Sequence, residues 1–381
     1  MKNTFRLVLL LCGVLVLASC NGGSSTSSAD EIVIGEYGSL TGGQATFGIS
    51  TRNGIDIAVD EINAAGGVLG KKVRVIVEDD QGKAEEANVV VTKLITKDKV
   101  VAVLGEVASS NSLAAAPVAQ QNGIPMISPS STNPEVTKKG DYIFRVCFLD
   151  PFQGYVMAKF ATGTLKMTKV AVLRDIKNDY SIGLADAFIE NFRKMGGTIV
   201  ADQSYSAGDS DFNAQLTAVK AKSPQAIFVP GYYGEVGLIA GQAKKQGITV
   251  PLLGGDGWDS PKLTEIGRKD IDGSFFSNHY SVDDPSPTAQ KFLTAYKARF
   301  NAVPDALGGL GYDSAMVLFD AMKRAGTTDG AKLRDAIAQT RDFDGVTGRI
   351  TLDADRNANK PAVVLEIKDG KFVFRDTVNP E

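Results

Sequence analysis

From Glu31 onward, short runs of apolar, often β-branched residues alternate with amphipathic stretches, and that rhythm leaves few folds open. Ile32-Val33-Ile34 reads as a strand, a Gly/Ser/Thr loop spans Gly38 to Gly48, and Ile55, Ala58, Val59 and Ile62 recur at i, i+3, i+4 and i+7. That spacing lines one face of a helix. Gly66-Gly67 ends it, and strands are expected at Val73–Val77, Val100–Leu104 and Pro125–Ile127, with helices over Ala84–Thr96 and Ser112–Gln121 between them. Strands separated by helices of this length form βαβ units and a parallel sheet.

The rhythm then restarts. Strands are expected at Val170–Leu173, Thr198–Ala201, Ala226–Val229 and Pro251–Leu253, with helices near Ile182–Lys194, Phe212–Ala221 and Val236–Lys245. Two such runs predict two Rossmann-like α/β lobes with parallel-rich central sheets rather than one large sheet. The helical stretches Pro287–Arg299, Gly308–Ala325 and Ala331–Thr340 need a sheet to cover, and the first lobe is their simplest home. The lobes are then discontinuous, residues 30–148 with 281–355 and residues 149–280 with 356–381. Several crossovers would join them as a multi-strand hinge.

The N-terminus reads as an address. Lys2 and Arg6 precede an apolar run from Leu7 to Leu17, which is too short to cross roughly 30 Å of hydrocarbon as a helix. Residues 1–19 are therefore expected to be a signal peptide. The ending Leu17-Ala18-Ser19-Cys20 resembles a bacterial lipobox, which implies a lipidated Cys20, a membrane anchor and an exported, cell-envelope location. Asn21–Ala29 is Gly/Ser-rich and suits a flexible tether. Cleavage before Cys20 removes Lys2 and Arg6, moving the formal charge from −3 to −5. It also removes Cys12, leaving Cys147 without an intramolecular partner other than the anchor residue.

Composition narrows the chemistry further. One histidine, His279, and three cysteines exclude a multi-histidine or Cys/His zinc site, and the acidic balance argues against nucleic acid as a partner. No Walker or G-x-S-x-G pattern occurs. Asp353-Ala354-Asp355-Arg356-Asn357 lacks the glycine and the closing acid of a calcium loop, and Glu78-Asp79-Asp80 reads as a solvated acidic turn. His279 is expected near a crossover as a hinge residue, and Cys147 as an inert buried thiol. No cofactor is implied, and a role as an enzyme is not expected.

In open α/β sheets, ligands lie beyond the carboxyl ends of the strands. After Leu104 comes Gly105-Glu106-Val107-Ala108-Ser109-Ser110-Asn111-Ser112, where serines can cap a helix or bind an anion. After Ile127 comes Ser128-Pro129-Ser130-Ser131-Thr132-Asn133-Pro134. In the second run Gly231-Tyr232-Tyr233 and Gly255-Asp256-Gly257-Trp258 follow their strands. Hydroxyls and a helix N-terminus on one side, with an acid and aromatics on the other, suit a zwitterion with an apolar tail.

These loops, with Ala58-Val59-Asp60-Glu61-Ile62-Asn63-Ala64-Ala65-Gly66-Gly67 and Ile124-Pro125-Met126-Ile127-Ser128-Pro129, resemble the periplasmic leucine/isoleucine/valine-binding protein family. These are type I solute-binding proteins of amino-acid ABC transporters, and the resemblance runs from Ile32 to the C-terminal strands. It implies an aliphatic amino acid bound between the lobes, hinge closure, an ABC permease as partner and a monomeric receptor. Ser109, Ser130 and Thr132 fall at the family's carboxylate-binding positions, and Asp256 and Tyr232 at the positions facing the ligand ammonium. Tyr180 matches an aromatic that closes over the ligand, Phe47 stands where tyrosine is common, and Trp258 either lines the pocket or packs its loop. Asp256 is one methylene shorter than the glutamate often found there. As an alternative, the scaffold could serve an aromatic amino acid, a short amide or urea, or feed a sensor; an amidase would need a nucleophile that the sequence does not offer.

Overall fold

A computed structural model describes residues 31–380; the expectations for the signal peptide, Cys20 and the tether lie outside the described residues. In chain order, β1 (Glu31–Gly38), α1 (Ala45–Ala64), β2 (Lys72–Asp79), α2 (Ala84–Thr96), β3 (Val103–Leu104), α3 (Ser109–Gln121), β4 (Met126–Ser128) and β5 (Ile143–Arg145) build a five-stranded parallel sheet of order β2-β1-β3-β4-β5. Both faces of it are covered. Ile32 and Ile34 of β1 pack with Ile55 and Ala58 of α1, whereas Val33 and Tyr37 turn to Val90, Leu94 and Ala115 of α2 and α3. This burial on two sides is why the parallel strands read as near-continuous apolar runs.

The chain then enters a second sheet through α4 (Asp150–Lys159), β6 (Lys169–Asp175), α5 (Asp179–Lys194), β7 (Thr198–Tyr205), α6 (Asn213–Lys220), β8 (Ala226–Phe228), α7 (Tyr233–Lys245), β9 (Leu252–Gly254), α8 (Pro261–Gly267) and β10 (Phe275–Asn278). These strands run in the order β7-β6-β8-β9-β10, the same winding as the first sheet. Next come α9 (Pro287–Phe300), α10 (Ala306–Ala325) and α11 (Gly330–Ala338), of which α9 and α10 pack on α1 of the first body. A short hairpin, β11 (Phe343–Gly345) with β12 (Gly348–Ile350), follows them. Finally β13 (Ala362–Lys368) joins β10 antiparallel and β14 (Lys371–Val378) forms the edge of the second sheet. The chain thus passes between the two sheet bodies after β5, after β10 and after β12. Among the described residues, no helix is long and apolar enough to cross a membrane.

The four helices nearest the strand ends begin earlier than periodicity predicts. α1 starts at Ala45 inside the expected loop, α3 at Ser109, α5 at Asp179 and α7 at Tyr233. Their first turns are polar or aromatic, so a hydrophobic stripe cannot mark them. Serine capping of α3 is not observed, because its N-cap is Ala108 and Ser109 lies within the first turn.

The tightest helix contact is between α1 and α10, where glycine replaces side chains. A Cβ on Gly54 would meet the Gly308 carbonyl oxygen at 1.9 Å, and one on Gly311 would meet the Thr51 carbonyl oxygen at 2.3 Å. Glycine costs a helix interior about 1 kcal/mol relative to alanine, and this backbone approach offsets it. Gly54→Val is expected to destabilise the protein by about 1–3 kcal/mol or more through overpacking. Gly43→Ala, which meets nothing within 4 Å, should stay within about 0.5 kcal/mol; urea unfolding of both variants checks the pair.

Candidate functional site

Equivalent strands of the two sheets point their carboxyl ends at one small cavity. The first body supplies Phe47 from the region after β1, Val107 after β3 and Ser130 after β4; the second supplies Tyr180 after β6, Tyr232 after β8 and Asp256 with Gly257 after β9. Leu307, in the first turn of α10, completes the lining. Each sheet therefore contributes its first, third and fourth loops, of which the first and third flank its switch in strand order.

Glu106 organises the first side. Its Oε1 accepts from the Ser39 amide at 3.0 Å and the Ser39 hydroxyl at 2.7 Å, and Oε2 accepts from the Ala108 amide. Its backbone carbonyl accepts from the hydroxyls of Ser128 at 2.8 Å and Ser131 at 2.9 Å. Arg145, wholly buried, grips the far side of the β4 loop by donating to the carbonyls of Ser131 and, at 2.8 Å, Asn133. Ser109 Oγ accepts from the Asn133 amide at 3.2 Å, linking α3 to that loop. So held, the loop presents Ser130, whose buried hydroxyl has no hydrogen-bond partner. Thr132 is buried beside it, and its carbonyl accepts from the Asp150 amide at 3.0 Å.

The second side is held as firmly. Gln153 Oε1 accepts from the Asp256 amide at 2.7 Å and the Ser277 hydroxyl at 2.9 Å, while the Gly257 amide donates to the Tyr180 hydroxyl at 3.1 Å. Tyr180 stacks on Tyr232 with ring centroids 5.3 Å apart and planes 2° from parallel, and Phe47 meets Tyr232 edge-on at 5.6 Å. Trp258 does not line the cavity: it is fully buried, its indole N–H donates to the Val229 carbonyl at 3.0 Å, and it packs against Phe276. Asp256 Oδ1 and the Tyr232 hydroxyl, on residues lining the same cavity as Ser130, are also buried without a partner. Oδ2 lies 2.8 Å from His279 Nε2. Cys147 is buried and free, its thiol pushed up to about 12 by burial.

The two bodies also touch directly at the rim. The Ser110 hydroxyl donates to Asp179 at 2.8 Å, the Asn133 side-chain amide donates to the Asp179 carbonyl at 2.9 Å, and the hydroxyls of Thr46 and Ser260 pair at 2.9 Å.

The structure thus brings Phe47, Ser130, Tyr180, Tyr232 and Asp256 around one cavity, with Ser109 at the start of α3 and Thr132 in the β4 loop supporting it. Sequence reading assigned no role to Glu106, Gln153 or Leu307. Glu106 had a signal, as the single acid between an apolar strand and a serine-rich helix start. Leu307 had none, because its place depends on how α10 packs on α1.

Two sheets of this winding, joined by three crossovers with polar loops meeting between them, define the type I periplasmic binding architecture. The family model described as periplasmic binding protein matches residues 31–371. The chain is 32% identical to Leu/Ile/Val-binding protein homolog 3 of Brucella melitensis over 96% of this chain and 99% of that one. Among solved structures, it resembles a leucine-binding protein, LivK, from Thermotoga maritima, with 42% identity, a TM-score of 0.89, and coverage of 92% of this chain and 99% of that one. The branched-chain amino acid transporter substrate-binding protein LivJ of Streptococcus pneumoniae, solved in complex with isoleucine, matches with 38% identity, a TM-score of 0.87, and coverage of 92% and 100%. The chain belongs to the periplasmic leucine/isoleucine/valine-binding protein family.

Burial pushes the Glu106 carboxyl up to about 8, helped by the nearby Asp80 charge and opposed by the Ser39 and Ala108 donors. Burial likewise raises Glu36 and Asp150 to about 8. A carboxyl raised in the folded state contributes stability that is present below its unfolded value, about 4.3 for glutamate, and is lost as pH rises through the folded value. The ligand-free protein is therefore expected to melt at a lower temperature at pH 8.5 than at pH 5.5, and Glu106→Gln should shrink that difference. Melting curves of the two proteins across this range are the check.

Proposed function

We propose that this protein is an extracytoplasmic receptor that binds an aliphatic, branched-chain amino acid between its lobes and delivers it to an ABC permease. The observation that carries the reading is that three buried polar atoms on residues lining the cavity, Ser130 Oγ, the Tyr232 hydroxyl and Asp256 Oδ1, have no hydrogen-bond partner, while the rest of the lining is aromatic and aliphatic. Buried polar groups are nearly always satisfied, and a zwitterion satisfies them here. Its carboxylate meets Ser109, Ser130 and Thr132, its ammonium meets Asp256 and Tyr232, and its side chain lies against Phe47 and Tyr180. Trp258 supports the Asp256 loop from beneath. The kinship with leucine- and isoleucine-binding proteins supports the same ligand class.

Residues 30–148 with 281–355 and residues 149–280 with 356–381 act as the two lobes. Ligand drives closure only by contacting both, since equal affinity for the open and closed forms shifts nothing. The task is capture and release, without turnover. Processing before Cys20 and lipidation of that residue would tether a monomeric receptor at the membrane, within reach of its permease.

Thermal-shift screening against all amino acids should single out leucine, isoleucine and valine, with stabilisation that grows as RT ln(1 + [L]/Kd). Asp256→Ala should cost about 2–5 kcal/mol of leucine affinity by leaving a buried ammonium unpaired. A calorimetric loss under about 1 kcal/mol would remove Asp256 from that role. A ligand without an ammonium would be indifferent to Asp256→Asn, so that outcome would point to another ligand class.

A further inference from the structure

The two oxygens of Asp256 have different surroundings. Oδ1 is buried without a partner, on a residue that lines the cavity, whereas Oδ2 is 2.8 Å from His279 Nε2. His279 is the chain's one histidine, and its side chain is 0% exposed. It directly follows β10, where the chain leaves the second sheet, and its amide donates to Asn278 Oδ1 at 2.9 Å. Its ring stacks on Phe148 with centroids 3.7 Å apart and planes 24° from parallel. Phe148 belongs to the crossover after β5, so the imidazole is clamped between two of the three connections.

A carboxylate oxygen only accepts hydrogen bonds, so Nε2 must carry the proton. Nδ1 has no partner. The neutral ring with a bare Nδ1 therefore satisfies its one donor, whereas a second proton would be a buried donor with no acceptor.

We propose that His279 is a positioning residue for ammonium recognition: as a neutral imidazole it pins Asp256 Oδ2 and leaves Oδ1 to receive the ligand ammonium. This rests on reading the cavity as an amino-acid site. With neutral His279, the Asp256 charge and the ligand ammonium cancel in a buried space. An imidazolium would add an uncompensated positive charge and compete for the same carboxylate. The groups acting on the ring are Asp256, which favours its protonation, and Lys360, which opposes it. The Asp256 charge in turn acts on Cys147, Asp150 and Asp259, and Arg145 interacts with Cys147 and Asp150. Burial outweighs Asp256 and keeps the imidazole below its ordinary value of 6.5. Binding should therefore weaken in acid.

Calorimetry tests this with leucine and with 4-methyl-2-oxopentanoate, which keeps leucine's carboxylate and side chain but lacks the ammonium. At pH 7.5, His279→Leu should weaken leucine binding by about 10- to 100-fold, the worth of a hydrogen bond to a charged group. It should leave the affinity for the oxo acid unchanged, which a merely structural role would not do. His279→Gln, whose amide nitrogen takes the place of Nε2, should hold leucine within about threefold. From pH 7 to 5 the wild type should lose leucine affinity, and His279→Gln should lose less. Equal leucine affinity in His279→Leu, equal losses for both ligands, or an acid response unchanged in His279→Gln would each overturn the proposal. Should His279→Leu fail to fold, the pH profiles of the wild type and His279→Gln still decide it. Failure of the wild type to bind any amino acid would instead overturn the amino-acid reading itself.

Discussion

The first half of the binding surface hangs on Glu106. A carboxyl group taken out of water is costly unless its oxygens are hydrogen-bonded, and here Ser39 and Ala108 provide those bonds. The same residue's backbone carbonyl gathers the hydroxyls of Ser128 and Ser131. One buried residue thus ties the loops after β1, β3 and β4 together. Without that knot, the start of α3 that carries Ser109 and the β4 loop that carries Ser130 and Thr132 would be held less firmly to each other. Binding would then have to order each of them, at an entropic cost that reduces affinity.

The second half has a counterpart in Gln153, whose single carbonyl oxygen receives both the Asp256 amide and the Ser277 hydroxyl. Trp258 fills the space beneath the loop, and the Tyr180 hydroxyl caps the Gly257 amide. The two halves use equivalent loops of two sheets wound in the same order, yet they carry complementary chemistry. Hydroxyl and amide donors dominate one side, and an acid with aromatics dominates the other. A repeated scaffold thus presents an asymmetric pair of surfaces, as the proposed binding of a zwitterion would need. Ser110 and Asn133 add hydrogen bonds to Asp179 that are made between the bodies themselves.

Much of the fold was legible because its signals are local. The β-branched runs of β1, β2 and β6 and the apolar stripes of α2, α5 and α10 could be read without a partner. Helix starts were less legible, since the first turns at Ala45, Ser109, Asp179 and Tyr233 are polar or aromatic for the sake of the cleft. β3 is only Val103–Leu104, shorter than the apolar run around it, because pairing on both sides and not hydrophobicity defines its length. β10 lies in Phe275-Phe276-Ser277-Asn278, where no clean alternation marks it.

By itself, the sequence determined two α/β runs, the loops that carry their polar chemistry and a family likeness strong enough to assign Ser109, Ser130, Thr132, Tyr180, Tyr232 and Asp256 their candidate roles. Those follow from periodicity and short motifs, which need only neighbouring residues. Tertiary structure alone decided that Leu307 closes the cavity, that Trp258 supports a loop from below, and that His279 reaches Asp256. Each depends on segments far apart in the chain, and their approach is set by how helices and crossovers pack. No local pattern encodes a distance across a fold.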